Sequence, residues 1–271
     1  MRTIKNGLKQ EQRVRGRSVA PPNKLTGGPV TKILQIKCAK PINLYCFTDV
    51  HIGAKGHDAA KFQRAVALLK KDPNGRCFFN GDNLEFIPPN YGIPEGGQIK
   101  STDDQIEEFA ALLKSLGKKV LFFRSGNHEE RAWRLGGVEI AKHLSRETGI
   151  PHVGVGMAET HVFVGKRKFR LVTSHGEGGG SKKVLTNMQL TFGGADLYFS
   201  GHTHEMYYNE GNLNIDTSSG TEVFRKQIEM VGGSFLGWAD YARSKNMRPT
   251  QTGCFVLRLD NEGIRVKEAI T

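Results

Sequence analysis

The chain has 271 residues, 38% of them hydrophobic and 24% charged, with a formal net charge of +12. That balance excludes a fully disordered or fibrous protein. No stretch approaches the roughly 18 uninterrupted apolar residues of a membrane-spanning helix, and the polar, basic first residues lack the apolar centre of a secretory leader.

Residues 1–37 hold nine bases against one acid, Glu11, which leaves 30 bases and 26 acids for the rest of the chain. Residues 1–31 show no hydrophobic period and are punctuated by Pro21-Pro22 and Gly27-Gly28-Pro29. They read as an irregular basic arm, able to bind nucleic acid through phosphate contacts or to serve only as a solvated leader. Residues 32–271 carry no repeat at a fixed period and read as a single domain. Of the four cysteines, Cys46, Cys77 and Cys254 sit in apolar runs, and with Cys38 they form no C-x-x-C pair. Buried reduced thiols and a cytoplasmic location are the expectation.

The first strand is expected at Asn43–Phe47, leading into Thr48-Asp49-Val50-His51. Asp58 then caps a helix with Phe62, Ala65, Val66 and Leu69 on one face. Arg76–Phe79 is a second strand ending at Asn80-Gly81-Asp82, and the Pro- and Gly-rich stretch 87–100 is a surface loop. Thr102 with Gln105 three residues on has the spacing of a capping box. Ile106, Phe109, Ala110 and Leu113 make the stripe of a helix that stops at Gly117. Val120–Phe123 is a third strand, ending at Arg124-Ser125-Gly126-Asn127-His128. Beyond it the alternation of strand and helix gives way to paired strands. His161–Val164 and Phe169–Thr173 turn about Gly165 and run into Ser174-His175. Leu197–Phe199 precedes Gly201-His202-Thr203-His204, and Cys254–Leu259 pairs with Ile264–Ala269 about a turn at Asp260–Gly263. Phe224 to Trp238 reads as core and edge.

Five of these apolar runs end in residues able to bind a metal: Asp49 and His51, Asp82, Asn127 and His128, His175, and His202 and His204. If the runs are neighbouring strands, their ends converge on one rim, where α/β proteins place ligand sites. Imidazole with carboxylate suits Mn, Fe, Zn or Ni better than Mg or Ca. Gly81, Gly126 and Gly201 each precede a candidate ligand, where a missing side chain lets the backbone turn sharply and bring that ligand inward.

Taken in order, Asp49-Val50-His51, Gly81-Asp82, Gly126-Asn127-His128-Glu129, His175 and Gly201-His202-Thr203-His204 resemble the signature of the calcineurin-like metallophosphoesterases, across roughly residues 43–205. The resemblance implies an α/β fold, a four-layer α/β/β/α sandwich of two mixed β-sheets. It implies two divalent metal ions, Mn²⁺ foremost, with Fe, Zn or Ni as alternatives. Asp49, His51 and His204 would hold the first and Asn127, His175 and His202 the second, with Asp82 bridging. His128 would be the catalytic histidine that meets the substrate phosphate or leaving group. Two such cations sharing a carboxylate and a water give hydroxide near neutral pH, which attacks phosphorus without a covalent enzyme intermediate.

Protein Ser/Thr phosphatases of this superfamily carry Asp-Arg-Gly shortly after the Gly-Asp motif. Here the chain reads Gly81-Asp82-Asn83-Leu84-Glu85-Phe86, which points away from that branch. Thr48-Asp49-Val50-His51-Ile52-Gly53 looks more like the DNA-repair nuclease and phosphodiesterase branches, and the stretch from Gly233-Ser234-Phe235 to Pro249 is similar to phage-encoded members. The expected activity is a phosphodiesterase or nuclease acting on nucleic acid or nucleotides. The alternatives are a phosphomonoesterase for small or terminal phosphates and a catalytically silent nucleic-acid-binding subunit, against which the intact ligand set speaks. Arg131, Trp133 and Arg134 could form a stacking and phosphate-holding surface, or a packed helix with solvated arginines. Glu85 either orders a ligand from behind or is a solvated loop acid. Gly176–Gly180 either admits substrate close to the backbone or is a plain loop. His57, His143, His152 and His161 read as structural or surface residues, with His57 the strongest exception.

Overall fold

The computed structural model describes residues 33–88, 97–176, 180–216, 220–237 and 249–271. Two units divide the chain, Met1–Lys32 and Ile33–Thr271, and everything below concerns the second. The basic arm at 1–31, residues 89–96 of the Pro- and Gly-rich loop, residues 177–179 of the glycine-rich segment and residues 238–248 lie outside the described residues.

β2 (Ile42–Phe47) shows how the architecture is built, because all six of its residues are buried. A strand alternates its side chains between two faces, so burial of both requires a layer on each side. Leu44 and Cys46 pack with Phe78, Phe122, Phe169, Leu171 and Phe199 between two sheets. Tyr45 and Phe47 face the other way, into helices, with Phe62, Leu69, Phe109 and Leu113.

β2 belongs to a five-stranded sheet of order β11-β10-β2-β3-β4, made with β3 (Gly75–Asn80), β4 (Val120–Arg124), β10 (Cys254–Asp260) and β11 (Gly263–Ile270). β2, β3 and β4 run parallel, while β10 joins β2 antiparallel. The second sheet has six strands in the order β1-β5-β6-β7-β9-β8. Its members are β1 (Leu34–Cys38), β5 (Ala158–Val164), β6 (Arg167–Ser174), β7 (Leu197–Ser200), β8 (Met206–Asp216) and β9 (Val223–Gly232). β6 and β7 are parallel, as are β7 and β9, whereas β5 and β6 form the expected antiparallel hairpin.

Helices cover both outer faces. α1 (Ala59–Lys71), α2 (Thr102–Leu116) and α4 (Ile140–Thr148) pack on the five-stranded sheet. α5 (Ser181–Thr191) lays Leu185 and Met188 on Val172, Tyr198 and Val231 of the six-stranded one. The result is the four-layer sandwich of two mixed sheets. Aromatic rings anchor α2: Phe79 stacks on Phe47 at 5.1 Å and meets Phe109 edge-on at 5.3 Å. Each such buried ring contributes roughly 1.5–3 kcal/mol.

α1 begins at its expected cap, Asp58, whose carboxylate accepts from the Lys61 N–H at 3.1 Å. α2 differs from expectation at its start. Ser101 is the cap, accepting from the Asp104 N–H at 3.1 Å, and Thr102 is already helical. Gln105, the supposed capping-box partner, turns inward and is fully buried. β1, α4, α5 and β8 have no counterpart among the expected elements, whereas β9 falls in the stretch from Phe224 read as core and edge.

Candidate metal centre

Three parallel strands of one sheet and two of the other direct their carboxyl ends to the same rim. Asp49 and His51 follow β2, Asp82 follows β3, and Asn127 and His128 open α3 (Asn127–Gly136) directly after β4. His175 follows β6, and His202 and His204 follow β7. The expected strands are therefore neighbours within two sheets rather than within one. Backbone pairing outlasts the strands: Asp49 N donates to Gly81 O at 3.0 Å, His51 N to Asp82 O at 2.9 Å, and Gly201 N to His175 O at 3.0 Å. The sheets are then laced together. His202 N donates to both carboxylate oxygens of Asp49 at 3.1 and 3.0 Å, and Asn80 Nδ2 donates to Ser174 O at 2.8 Å.

Three sets of side chains emerge that could each hold a metal ion, Asp49 with His51 and His204, Asp82 with His175 and His202, and His51 with Glu85 and His128; within each set the candidate atoms lie within 4.8 Å of one another. His51 Nε2 stands 3.3 Å from His204 Nε2, and His204 Nε2 stands 3.3 Å from Asp49 Oδ1. His175 Nε2 is 3.1 Å from Asp82 Oδ2 and 3.8 Å from Asp49 Oδ1.

A proton inventory shows that these donors suit a cation. His175 Nδ1 lies 2.9 Å from Asn80 O, and because a carbonyl only accepts, Nδ1 carries the hydrogen. Nε2 of the same ring is buried and makes no aligned hydrogen bond, close as Asp82 is; Asn127 Oδ1 is likewise buried without a partner. His51 Nδ1 lies 2.7 Å from Glu85 Oε2, and its Nε2 faces His204 Nε2 at 3.3 Å. Burial alone would lower the pKa of His175, yet the Asp82 and Asp49 carboxylates outweigh it and raise the value to about 10. Asp82 itself is held well below the usual carboxylate range against burial by His175 and His128. Imidazole nitrogens and carboxylates gathered in one buried space are what imidazole- and carboxylate-binding divalent cations require.

The backbone is strained where the candidate ligands sit. Six non-glycine residues among those described have positive φ: Asp49 (+49°), His51 (+53°), Asp82 (+46°), Phe86 (+30°), His202 (+71°) and His204 (+58°). Five of them are candidate ligands. Left-handed backbone costs an L-residue about 1–2 kcal/mol, and such residues cluster where a site is preorganised.

The glycines divide into two kinds. Gly81 does adopt φ +91°, as its expected turn requires. Gly126 and Gly201 do not; a Cβ on Gly126 would collide with Asp82 Oδ1, and one on Gly201 with Thr48 Oγ1 and Asp49. Close approach, not a sharp turn, is the reason at those two positions.

Two acids brace the candidate ligands. Glu85 is buried against His51, 2.7 Å from its Nδ1, rather than solvated. Burial would raise its pKa, but His51, His128 and Arg131 hold it down, so it stays a carboxylate. Glu129 accepts from the backbone N–H groups of Asp82 (3.1 Å), Asn83 (2.7 Å), Leu84 (3.0 Å) and Gly126 (2.7 Å). Its position in the Gly126–Glu129 motif was visible, but this role depends on α3 folding back over the β3 exit. His128 N donates to Asp82 Oδ1 at 2.9 Å, and its ring crosses that of His51 edge-on at 4.7 Å. His128 Nδ1 bonds the Glu85 carbonyl, which leaves Nε2 3.8 Å from Asp82 Oδ2. Burial pushes the His128 imidazole down to about 4, so it is neutral at pH 7.

Arg131, Trp133 and Arg134 do not form one surface. Arg131 is buried and donates to the Phe86 carbonyl at 3.1 Å, whereas Trp133 is exposed and Arg134 pairs with Glu130 at 2.9 Å on the solvent side of α3. His57 bonds Val50 O at 2.6 Å, His152 meets Ser125 Oγ at 3.1 Å, and His161 pairs with Glu159 at 2.7 Å. His143 is exposed. The four cysteines are buried free thiols.

No protein-family profile matches the sequence, and no curated protein matches it. Solved structures do. YfcE, a phosphoesterase from E. coli, shares 17% identity over 85% of this chain and 97% of its own, at a TM-score of 0.43. A Vps29 double mutant from Entamoeba histolytica shares 13% over 83% of this chain and 97% of its own, at 0.45. A metallophosphoesterase from Sphaerobacter thermophilus shares 12% over 84% and 89%, at 0.44.

Proposed function

We propose that the domain at residues 32–271 is a calcineurin-like metallophosphoesterase that hydrolyses phosphate esters at a two-metal centre. The observation that carries this reading is the convergence, in one buried space, of the carboxylates of Asp49 and Asp82 with the Nε2 atoms of His51, His175 and His204 and the unpartnered Asn127 Oδ1. Asp49, His51 and His204 would hold one cation and Asn127, His175 and His202 the other, with Asp82 reaching both. When bound, a pair of divalent cations, Mn²⁺ in our reading, neutralises charge on the phosphate and makes a shared water acidic enough to attack near neutral pH.

The chain's other residues prepare that chemistry. Glu85 fixes the His51 tautomer by accepting its Nδ1–H, which keeps Nε2 for the cation. The Asn80 carbonyl does the same for His175. His128, bonded through Nδ1, has a bare Nε2 left to accept a proton from a water or hydroxyl at the site.

For the substrate we favour a phosphodiester in nucleic acid or a nucleotide. Support comes from Asn83-Leu84-Glu85 standing where protein phosphatases resemble one another, and from nine bases within residues 1–37. Four buried thiols suit a reducing, cytoplasmic setting. Among the described residues no helix is long and apolar enough to cross a membrane.

Purified protein loaded with Mn²⁺ and offered bis(p-nitrophenyl) phosphate, p-nitrophenyl phosphate and single-stranded DNA tests the reading. Turnover of the diester and DNA is expected. Hydrolysis of the monoester alone would make the chain a phosphomonoesterase, and stoichiometric metal without turnover would make it a binding subunit. Removing residues 1–31 should weaken salt-sensitive DNA affinity while small-substrate turnover persists.

A further inference from the structure

Behind His128 three stretches of chain meet, and one side chain joins them. Gln105, in the first turn of α2, is 0% exposed. Its Nε2 donates to Lys100 O at 3.0 Å, and its Oε1 accepts from Phe86 N at 3.1 Å. It also lies flat on Gly53, two residues past His51, so closely that a Cβ there would come within 2.5–2.7 Å of the amide. A buried amide satisfied at both ends and wedged against backbone has one place to be.

Phe86 is the segment it grips. Among the described residues, Phe86 is the only non-glycine with positive φ that is not a candidate ligand, and it is a bulky residue at φ +30°. Such strain persists only where neighbours enforce it. Here they hold both sides of the residue: Gln105 takes the N–H, and Arg131, from the same helix as His128, gives Nη1 to the carbonyl at 3.1 Å. The bent backbone lets Glu85 serve two histidines at once. Its carboxylate reaches His51 Nδ1 at 2.7 Å while its carbonyl reaches His128 Nδ1.

We propose that Gln105 and Arg131 are positioning residues that hold the strained Phe86 turn, and through the Glu85 carbonyl fix the ring of His128 for proton transfer. Arg131 Nη1 also lies 3.5 Å from the Glu85 carbonyl and 3.2 Å from His128 Nδ1, on the side of the ring away from Nε2. The proposal rests on the reading of His128 given above.

Gln105→Met keeps the length and loses both hydrogen bonds, whereas Gln105→Glu, protonated when buried, keeps both. With Mn²⁺ loaded and bis(p-nitrophenyl) phosphate as substrate, Gln105→Met should lower kcat roughly tenfold or more, since a positioned proton-transfer group is worth about 10²–10⁴. KM and bound metal per chain should stay within about twofold, because the lost contact acts on proton transfer and not on binding. Gln105→Glu should restore most of the rate, and Arg131→Met should repeat the loss if Gln105→Met folds poorly. A crystal structure of Gln105→Met should show the Glu85 carbonyl out of hydrogen-bond reach of His128 Nδ1. Wild-type kcat in both Gln105→Met and Arg131→Met, metal loss in step with kcat, or no rescue by Gln105→Glu would each overturn the proposal. An inactive wild type overturns the hydrolase reading instead, and an unmoved Glu85 carbonyl in the Gln105→Met crystal overturns this one.

Discussion

Glu129 grips the backbone of Asp82. Its Oε2 accepts the Asp82 N–H at 3.1 Å and the Gly126 N–H at 2.7 Å, while Oε1 takes the next two N–H groups of the β3 exit. The left-handed Asp82 and the start of α3 are thereby tied to one carboxylate. Burial and the charge of Asp82 raise the pKa of Glu129, and the N–H groups pull it back.

Glu129→Gln tests that clamp. An amide keeps one accepting oxygen and turns its NH₂ toward N–H groups that need an acceptor. Leaving such buried donors unpaired costs about 1–3 kcal/mol. Urea unfolding of the metal-free variant should show a loss of that size, with weaker metal retention because Asp82 loosens. Unchanged stability and full metal content would show that the four hydrogen bonds are incidental.

Glycine-to-alanine scanning should separate close approach from ordinary flexibility. Gly126→Ala places a methyl into Asp82 Oδ1, whereas Gly136, later in the same helix, has nothing within 4 Å of an added Cβ. Metal analysis after dialysis should find Gly126→Ala depleted and Gly136→Ala at wild-type content, with Gly136→Ala equal or slightly more stable. Full metal loading of Gly126→Ala would mean that the Asp82 carboxylate can move aside without consequence.

Asp82→Asn and His128→Ala should fail in different ways. Asp82 stands 3.1 Å from His175 Nε2 and accepts from the His128 N–H at 2.9 Å, so removing its charge weakens both proposed cation sites and should abolish turnover. His128→Ala removes a ring whose Nε2 lies 3.8 Å from Asp82 and which shares a set of candidate donors with His51 and Glu85 but with neither Asp49 nor His175. Its rate should fall by about 10²–10⁴ while metal content stays near wild type. Equal metal depletion in the two variants would place His128 among the ligands.

These relationships differ in how visible they were in the chain. Strands such as Asn43–Phe47 and the Phe62, Ala65, Val66, Leu69 face of α1 follow from local periodicity, which is fixed by geometry within a few residues. Asp49, Asp82, His175 and His202 stood out because ligand-type residues follow apolar runs. Gln105 was misread because its spacing from Thr102 fits a cap and nothing local says that it is buried. The left-handed backbone of Asp49, His51, His202 and His204 has no local sequence mark; its partners lie in other elements, as in His51 N–H to Asp82 O and His202 N–H to the Asp49 carboxylate. β8 escaped notice because its polar, mixed pattern carries no clean alternation.

Metal uptake should release a proton held by His175. In the metal-free protein its ring is pinned by Nδ1 to Asn80, with Nε2 between Asp82 and Asp49, and its pKa is raised to about 10. Below the ordinary imidazole value of about 6.5 the resulting ion pair stabilises the metal-free fold fully, and that stabilisation fades as pH rises through about 10. A cation needs Nε2 bare, so across the same window apparent metal affinity should climb about tenfold per pH unit for one proton displaced. Calorimetric titration of metal-free protein with Mn²⁺ at pH 7.5, in buffers of different ionisation enthalpy, counts the protons released. His175→Gln should release about one proton fewer than wild type by the same linkage. Identical counts in the two proteins would mean that the His175 imidazole is already neutral before the metal arrives, and that the carboxylates of Asp82 and Asp49 do not hold its charge.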